Sequence, residues 1–309
     1  MIHDLIIVGG GPAGVAAGVY AARKKIRTVF VTYDWGGQSI VSPDIQNWIG
    51  DKSISGEQLA EKLKDHLLSY KGDFLEIKEG AKAERVDKID QGFKVKLEEG
   101  AELEGKTILV ATGAHRRKLV ASGAEEFEQK GITYCATCDG PLFGGKDVVV
   151  IGGGNAGFET ALQLLAYAKS VTLLHHREAF KADKITVDKV LSDPKMKAIT
   201  AASTVRVEGD NFVKSLTYKD VKTGEEHTIP TEGVFVEIGL IPTTEFVKGL
   251  VELNSYGSIK VNPRTQATSL SGIWAAGDCA DGLYHQNNIA AGDAVKALED
   301  IYLYLHLKQ

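Results

Sequence analysis

Cysteine is scarce in this sequence: 309 residues hold three, at positions 135, 138 and 279. That excludes a disulfide scaffold of the kind small secreted domains need. An excess of basic charge is also missing. Lys and Arg total 36 against 41 Asp and Glu, a net charge of −5, which gives nucleic acid no positive field to bind. Long apolar runs are absent as well. The longest uncharged stretch, residues 5–22, spans eighteen positions and contains Gly9-Gly10-Gly11-Pro12. Those residues break it into a strand and a helix, so no membrane span is expected. Asp4 and the lack of a basic N-terminal segment argue against a signal peptide, and a reducing cytoplasm is the expected compartment. No second CxxC exists, and nothing in the spacing of His175 and His176 supports a zinc site, which needs four ligands. No metal is expected.

What the sequence does contain is organised around Cys135-Ala136-Thr137-Cys138, followed directly by Asp139. One helical turn or a tight loop brings two such thiols within disulfide reach. A disulfide that opens and closes carries two electrons, and Asp139 sets a carboxyl group beside it where a proton must move.

Two phosphate-binding signatures flank that pair. Residues 4–8 read as an apolar strand, Gly9-x-Gly11-x-x-Gly14 follows, then a helix to about residue 24, and residues 28–31 form a second strand. Glycines at the first turn of a βαβ unit let the backbone approach a pyrophosphate, which the helix N-terminus then faces. Asp34, twenty residues past Gly14, is placed to accept from ribose hydroxyls. The signature recurs 143 residues later: a strand at 148–151, Gly152-x-Gly154-x-x-Gly157, a helix through about residue 168, and a strand at 171–174. Twenty residues past Gly157 stands Arg177, not an acid, with His175, His176 and Lys181 around it. Cationic donors there favour the 2′-phosphate of NADPH, although Gly157 itself is typical of NAD sites.

Elsewhere, Ser55 and Gln58 make a capping box before a helix whose Leu59, Leu63 and Leu67 face a core. Phe93, Val95 and Leu97 alternate with lysines as on a half-exposed strand. A final helix is expected over about residues 290–305, and Cys279 is expected to be buried and inert.

Taken in order, GGGPAG at 9–14, GGQ at 36–38, ATGA at 111–114, CATCDG at 135–140, GGGNAG at 152–157, and AAGD at 275–278 followed by Tyr284-His285-Gln286 resemble low-molecular-weight thioredoxin reductase over essentially the whole chain. KGITYC at 130–135 and CDGPLF at 138–143 make the chain similar also to the reductase portion of the alkyl hydroperoxide reductase flavoprotein. The N-terminal thioredoxin-fold domains of that flavoprotein have no counterpart in these residues.

The resemblance implies an α/β fold of two nucleotide-binding Rossmann-like domains, each a three-layer ββα unit, the second inserted into the first. The FAD-binding domain would comprise residues 1–114 and 243–309, and the NAD(P)H-binding domain residues 115–242. It implies that Gly9, Gly11, Pro12, Ala13, Gly14, Asp34, Gly37, Gln38, Asn47, Ala111, Thr112, Gly113, Gly277, Asp278, His285 and Gln286 hold FAD. Gly152, Gly154, Asn155, Ala156, Gly157, His176, Arg177, Lys181 and Gly239 would hold NADPH, with NADH possible. By the same resemblance, NADPH reduces FAD, and FAD reduces the Cys135–Cys138 disulfide. Cys138 faces the flavin, Cys135 attacks the disulfide of thioredoxin, and Asp139 is the acid/base. A homodimer is implied, as is rotation of the inserted domain about crossovers near residues 115–118 and 240–244.

Departures from the family pattern bear on the nucleotide. His176 and Lys181 stand where thioredoxin reductases carry arginines, which weakens phosphate recognition because only Arg forks a phosphate bidentately. The competing expectation is an NADH-dependent reductase of a peroxiredoxin or glutaredoxin-like partner. A redox sensor needs no acid/base at 139, and a ferredoxin–NADP reductase of related fold needs no CxxC. A glutathione-reductase-type disulfide would lie in the first domain, where no cysteine precedes Cys135.

Overall fold

β1 (His3–Val8) and β2 (Thr28–Thr32) show how the chain begins to fold. Leu5 to Val8 and all five residues of β2 are buried. Strands covered on both faces need unbroken apolar runs, not alternation. Between them α1 (Pro12–Arg23) starts on a proline, whose missing N–H would have had no partner there. A computed structural model describes residues 2–42 and 44–307. In it α2 (Gly56–Leu68) carries the expected capping box. The Gln58 N–H donates to Ser55 Oγ at 3.1 Å and the Ser55 N–H donates to Gln58 Oε1 at 3.3 Å. Leu59 and Leu67 of this helix are buried.

β3 (Leu75–Glu79), β4 (Ala83–Ile89), β5 (Gly92–Leu97) and β6 (Glu102–Val110) follow. On β5, Phe93, Val95 and Leu97 are buried and the residues between them are not, as alternation requires. The chain leaves this unit through β7 (Ala114–Arg116).

The second unit runs from Arg116 to Leu240. It contains β8 (Ile132–Thr133), α3 (Ala136–Asp139), β9 (Asp147–Ile151), α4 (Asn155–Leu164), β10 (Ser170–Leu174), α5 (Lys184–Leu191) and β11 (Met196–Ile199). Then come β12 (Ala202–Gly209), β13 (Val213–Asp220), β14 (Glu226–Pro230) and β15 (Gly233–Val236). The chain returns through β16 (Leu240–Pro242), which pairs with β7 in a two-stranded ribbon. β17 (Ile273–Ala275) and α6 (Asn287–Leu307) complete the first unit.

Each unit is a parallel sheet with helices on one face and antiparallel strands on the other. In the first, β3-β2-β1-β6 are parallel neighbours. β6 takes two partners on its far side: its start pairs antiparallel with β5 and its end pairs parallel with β17. One apolar cluster joins α1, α2 and α6 to this sheet, with small residues such as Ala17, Ala21, Ala294 and Ala297 between α1 and α6. A second cluster fills the side of β4 and β5. In the second unit the parallel order is β11-β10-β9-β15-β8, and β12-β13-β14 form the antiparallel layer. Phe158, Ala161 and Leu164 pack α4 on one face, while Val207, Val213 and Leu216 cover the other.

Two boundaries differ from the sequence reading. α4 stops at Leu164, not near residue 168, because the chain turns there and the Gly145 and Lys169 N–H groups are used to lead it into β10. α6 begins at Asn287, where Ser39 Oγ donates to the Asn287 side chain at 2.8 Å and ties down the first turn. Among the described residues, no helix is long and apolar enough to cross a membrane.

Candidate active site

The two glycine-rich turns have the same geometry. Gly9 and Gly152 sit at φ +126° and +133°, a region that favours glycine. A Cβ on Gly9 would lie 2.1 Å from the Ala111 carbonyl, and one on Gly152 the same distance from the Glu237 carbonyl. The last glycine of each turn packs helix onto strand: Gly14 would meet the Gly9 carbonyl at 1.8 Å, and Gly157 the Gly152 carbonyl at 1.9 Å. The middle glycines are different. Gly11 would meet nothing nearer than Gly37 Cα at 3.8 Å, and Gly154 nothing within 4 Å. Each is the N-cap of its helix, and among the described residues no side chain caps either helix. Both turns therefore hold open space in front of an uncapped helix N-terminus, which is the space a pyrophosphate needs.

Around the first turn the structure gathers residues far apart in sequence. Gly37 approaches Gly11, and Gln38 Nε2 donates to Asp278 Oδ2 at 3.2 Å. His285 Nδ1 lies 3.4 Å from Asp278 Oδ1. Gly277, at φ +75°, sits between Ala13 and Ala290 and so brings Asp278 to the start of α1. Asn47 Nδ2 donates to Gln286 Oε1 at 3.2 Å, and Asn288 Nδ2 to the Asn47 carbonyl at 2.7 Å. Pro12, Ala13 and Ala111 are buried behind these groups. Thr112 Oγ1 donates to the Thr243 carbonyl at 2.6 Å, while Gly113 adopts φ +65°. Asp34 is exposed at the end of β2; its backbone carbonyl, which accepts from Thr32 Oγ1, lies against Gly10.

The second turn is bound to the loop after β10. His175, expected as one of a basic group, is buried and neutral. Its Nε2–H donates to the Ala179 carbonyl at 3.1 Å, so Nδ1 is the acceptor for the Gly153 N–H at 3.2 Å. Burial and then His176 push its pKa down. The Lys181 N–H donates to the Gly153 carbonyl at 2.8 Å. Asn155 and Asp183 exchange two bonds, 3.2 Å from Nδ2 to the carboxylate and 2.8 Å from the Asp183 N–H to Oδ1. His176, Arg177, Lys181 and Ala156 remain exposed, with Arg177 Nε donating to His176 Nε2 at 3.2 Å. Gly239, at φ +106°, faces open space; its carbonyl accepts from the Arg117 N–H at 3.0 Å.

In the same unit Cys135 and Cys138 form a disulfide with their Cα atoms 5.3 Å apart. Cys135 is the N-cap of α3, and the Cys138 N–H donates to its Sγ at 3.2 Å. An N–H aimed at sulfur favours the thiolate over the thiol. Thr133 Oγ1 donates to Asp139 Oδ2, while Asp139 Oδ1 is buried with no hydrogen-bond partner among the described residues. Burial raises the Asp139 pKa against the opposing effects of the Thr133 bond and the Arg116 charge. Glu237, which faces Thr160 Oγ1 at 3.0 Å and Arg116 at 3.3 Å, is also pushed up by burial. Cys279 is buried, with its thiol pushed up to about 11.

Sequence reasoning missed Thr133, Glu237, Asp183 and the structural use of His175. His175 had a legible signal, since it continues the buried end of β10. The others act through contacts made only on folding.

The chain is similar to known proteins over nearly all its length. It is 42% identical over 302 residues to an NADH dehydrogenase of Bacillus subtilis, covering 98% of this chain and 58% of that protein. It is 42% identical over 295 residues to an alkyl hydroperoxide reductase component of Pseudomonas aeruginosa, covering 95% of this chain and 56% of that protein. The chain thus spans little more than half the length of these relatives. The solved structure of a thioredoxin reductase from Streptococcus pyogenes aligns with a TM-score of 0.88 at 33% identity, covering 98% of both chains. Residues 3–294 match the pyridine nucleotide-disulphide oxidoreductases. With two glycine-rich strand-to-helix turns and a CxxC disulfide already in place, that match leaves no conflict between sequence and geometry: the chain belongs to the pyridine nucleotide-disulphide oxidoreductase family.

Proposed function

We propose that this chain is an FAD-containing, NADPH-dependent thioredoxin-disulfide reductase. Its reaction would move an electron pair from NADPH to Cys135–Cys138, and from there to thioredoxin or a thioredoxin-like protein, with FAD as the carrier between. The observation that carries this reading is a formed disulfide beside a half-buried carboxyl group, in the same folded unit as a glycine-rich turn with open space before its helix.

FAD, when bound, supplies a carrier that takes up a hydride and gives back two electrons. The Gly9–Gly14 turn would hold its pyrophosphate, Asp34 a ribose, and Asp278 a hydroxyl of the chain between. Gln38, Asn47, Ala111, Thr112, Gly113, His285 and Gln286 supply the surrounding wall. The turn at Gly152–Gly157 would hold the nicotinamide nucleotide, with Arg177 and Lys181 on its 2′-phosphate. In the sulfur chemistry, the Cys138 N–H stabilises the Cys135 thiolate that attacks the partner disulfide. Asp139 takes up and returns the proton. The sum is NADPH, a proton and a partner disulfide giving NADP⁺ and a partner dithiol. We assign the working form as a cytoplasmic homodimer, with the unit from Arg116 to Leu240 turning about its two crossovers.

A second reading is an NADH-dependent reductase of a peroxiredoxin or glutaredoxin-like partner. It is favoured by the names of the two long relatives and by His176 and Lys181, which bind phosphate less well than arginine. Comparing kcat/KM for the two nucleotides separates the readings. Charge-assisted contacts to a phosphate predict a preference for NADPH of roughly tenfold or more. A large preference for NADH selects the second reading.

A further inference from the structure

We infer that Thr133 is a positioning residue: its hydroxyl anchors one oxygen of Asp139, so that the other is left to exchange a proton with the redox sulfurs. This rests on the reading that Cys135–Cys138 turns over with Asp139 as its acid/base.

The hydroxyl has two neighbours with fixed roles. The Cys135 N–H, 3.4 Å away, can only donate to it. The Thr133 proton is therefore given to Asp139 Oδ2, the other atom in reach. Thr133 is the last residue of β8 and is itself buried, so the parallel sheet holds this anchor. Asp139 Oδ1 is buried and has no hydrogen-bond partner among the described residues, a condition that costs free energy unless the atom has another use. One carboxyl group is thus divided into a held oxygen and a free one, at the end of the turn that carries both cysteines.

The surroundings leave this hydroxyl as the main polar control. The charge acting on Asp139 is Arg116 of β7, which is itself paired with Glu237 at 3.3 Å. From α4, the neutral Gln163 reaches α3, where its Nε2 donates to the Ala136 carbonyl and its Oε1 accepts from Thr137 Oγ1. Tyr134 directs its hydroxyl to Glu128 at 3.1 Å. Burial raises the Asp139 pKa, and the Thr133 bond is the first effect opposing it. Removing that donor moves the carboxyl further in the same direction.

The test uses the full-length, FAD-loaded protein and three variants: Thr133→Val, of the same shape without the hydroxyl; Thr133→Ser, which keeps it; and Asp139→Asn. Two rates are measured across pH. One is NADPH-driven reduction of 5,5′-dithiobis(2-nitrobenzoate). The other is reduction of Cys135–Cys138 by dithiothreitol, counted as thiols, which needs no flavin chemistry. Thr133→Val is expected to be slower by roughly tenfold near neutrality, the loss of one hydrogen bond to a charged group. Its profile should move to higher pH in both assays. Thr133→Ser should restore the rate and the profile, and Asp139→Asn should flatten the profile.

If Thr133→Val keeps the wild-type profile while Asp139→Asn is impaired, Thr133 has no such role. A slow Thr133→Val with an unmoved profile that serine does not restore makes it a packing residue and overturns the proposal. Wild-type behaviour of Asp139→Asn removes the acid/base reading itself, and the proposal with it.

Discussion

His175 shows how much a single side chain decides. Between a run of apolar residues and three exposed basic ones, its sequence context fits either group. Burial settles it: the imidazole is neutral, with one nitrogen giving to Ala179 and the other taking from Gly153. It holds the loop that carries Arg177 and Lys181 against the second glycine turn. Its pKa is lower in the folded chain than in the unfolded one, so the unfolded state binds more protons as the pH falls. The stability it contributes is complete above the ordinary imidazole range and is lost as the pH drops through the lowered value. His175→Phe fills the space but leaves the Gly153 N–H and the Ala179 carbonyl without their partner. The expected result is a loss of about 1–3 kcal/mol in urea unfolding and a several-fold rise in KM for the nicotinamide nucleotide. The share of the acid dependence that this imidazole contributes should disappear with it. A variant that unfolds like the wild type at pH 7 and at pH 5 contradicts this account.

Among the elements, the duplicated turns are where sequence and structure agree most closely, for a physical reason. Glycine spacing at a strand-to-helix turn depends only on local geometry, so it can be read from a short window. The two kinds of glycine in each turn make opposite predictions. Gly154 has extended backbone and open space in front of it, so Gly154→Ala should cost no more than about 1 kcal/mol, the difference between the two residues as a helix N-cap. Its methyl would stand in the space proposed for the pyrophosphate, and nucleotide affinity should fall at least tenfold. Gly157→Ala puts a methyl 1.9 Å from the Gly152 carbonyl and should cost about 1–3 kcal/mol of folding stability. Thermal unfolding and nucleotide titration of the two variants, side by side, check both. The two partners of β6, by contrast, had no sequence signal. Pairing with β17 joins Ile108 to Ile273, and no local pattern specifies a contact across that separation. The early end of α4 was illegible for a related reason: the turn after Leu164 is set by bonds to Gly145 and Lys146.

At the scale of the molecule, two units of the same three-layer plan divide the work implied by the motifs. The residues expected to hold FAD are drawn from both ends of the chain. Gln38 and Asp278, 240 positions apart, meet directly. That meeting could be named from the sequence only through family resemblance, because spacing carries no information about distant residues. The redox pair was legible alone as a pair of thiols with an acid beside it. Its anchor, Thr133, was not, because a threonine two residues upstream reads as an ordinary strand residue until β8 and α3 are folded together. On the proposed reading, the Cys135–Cys138 disulfide is the outlet for electrons entering from the nicotinamide. Alkylation of native protein after anaerobic addition of one equivalent of NADPH to the FAD-loaded chain tests this most directly, since Cys279 is buried and stays unreacted. The account predicts two newly reactive thiols per chain, at Cys135 and Cys138, which disappear when oxidised thioredoxin is added. In Cys135→Ser it predicts flavin reduction without transfer to thioredoxin. Oxidation of NADPH with the disulfide left intact, or undiminished thioredoxin reduction by Cys135→Ser, would contradict it.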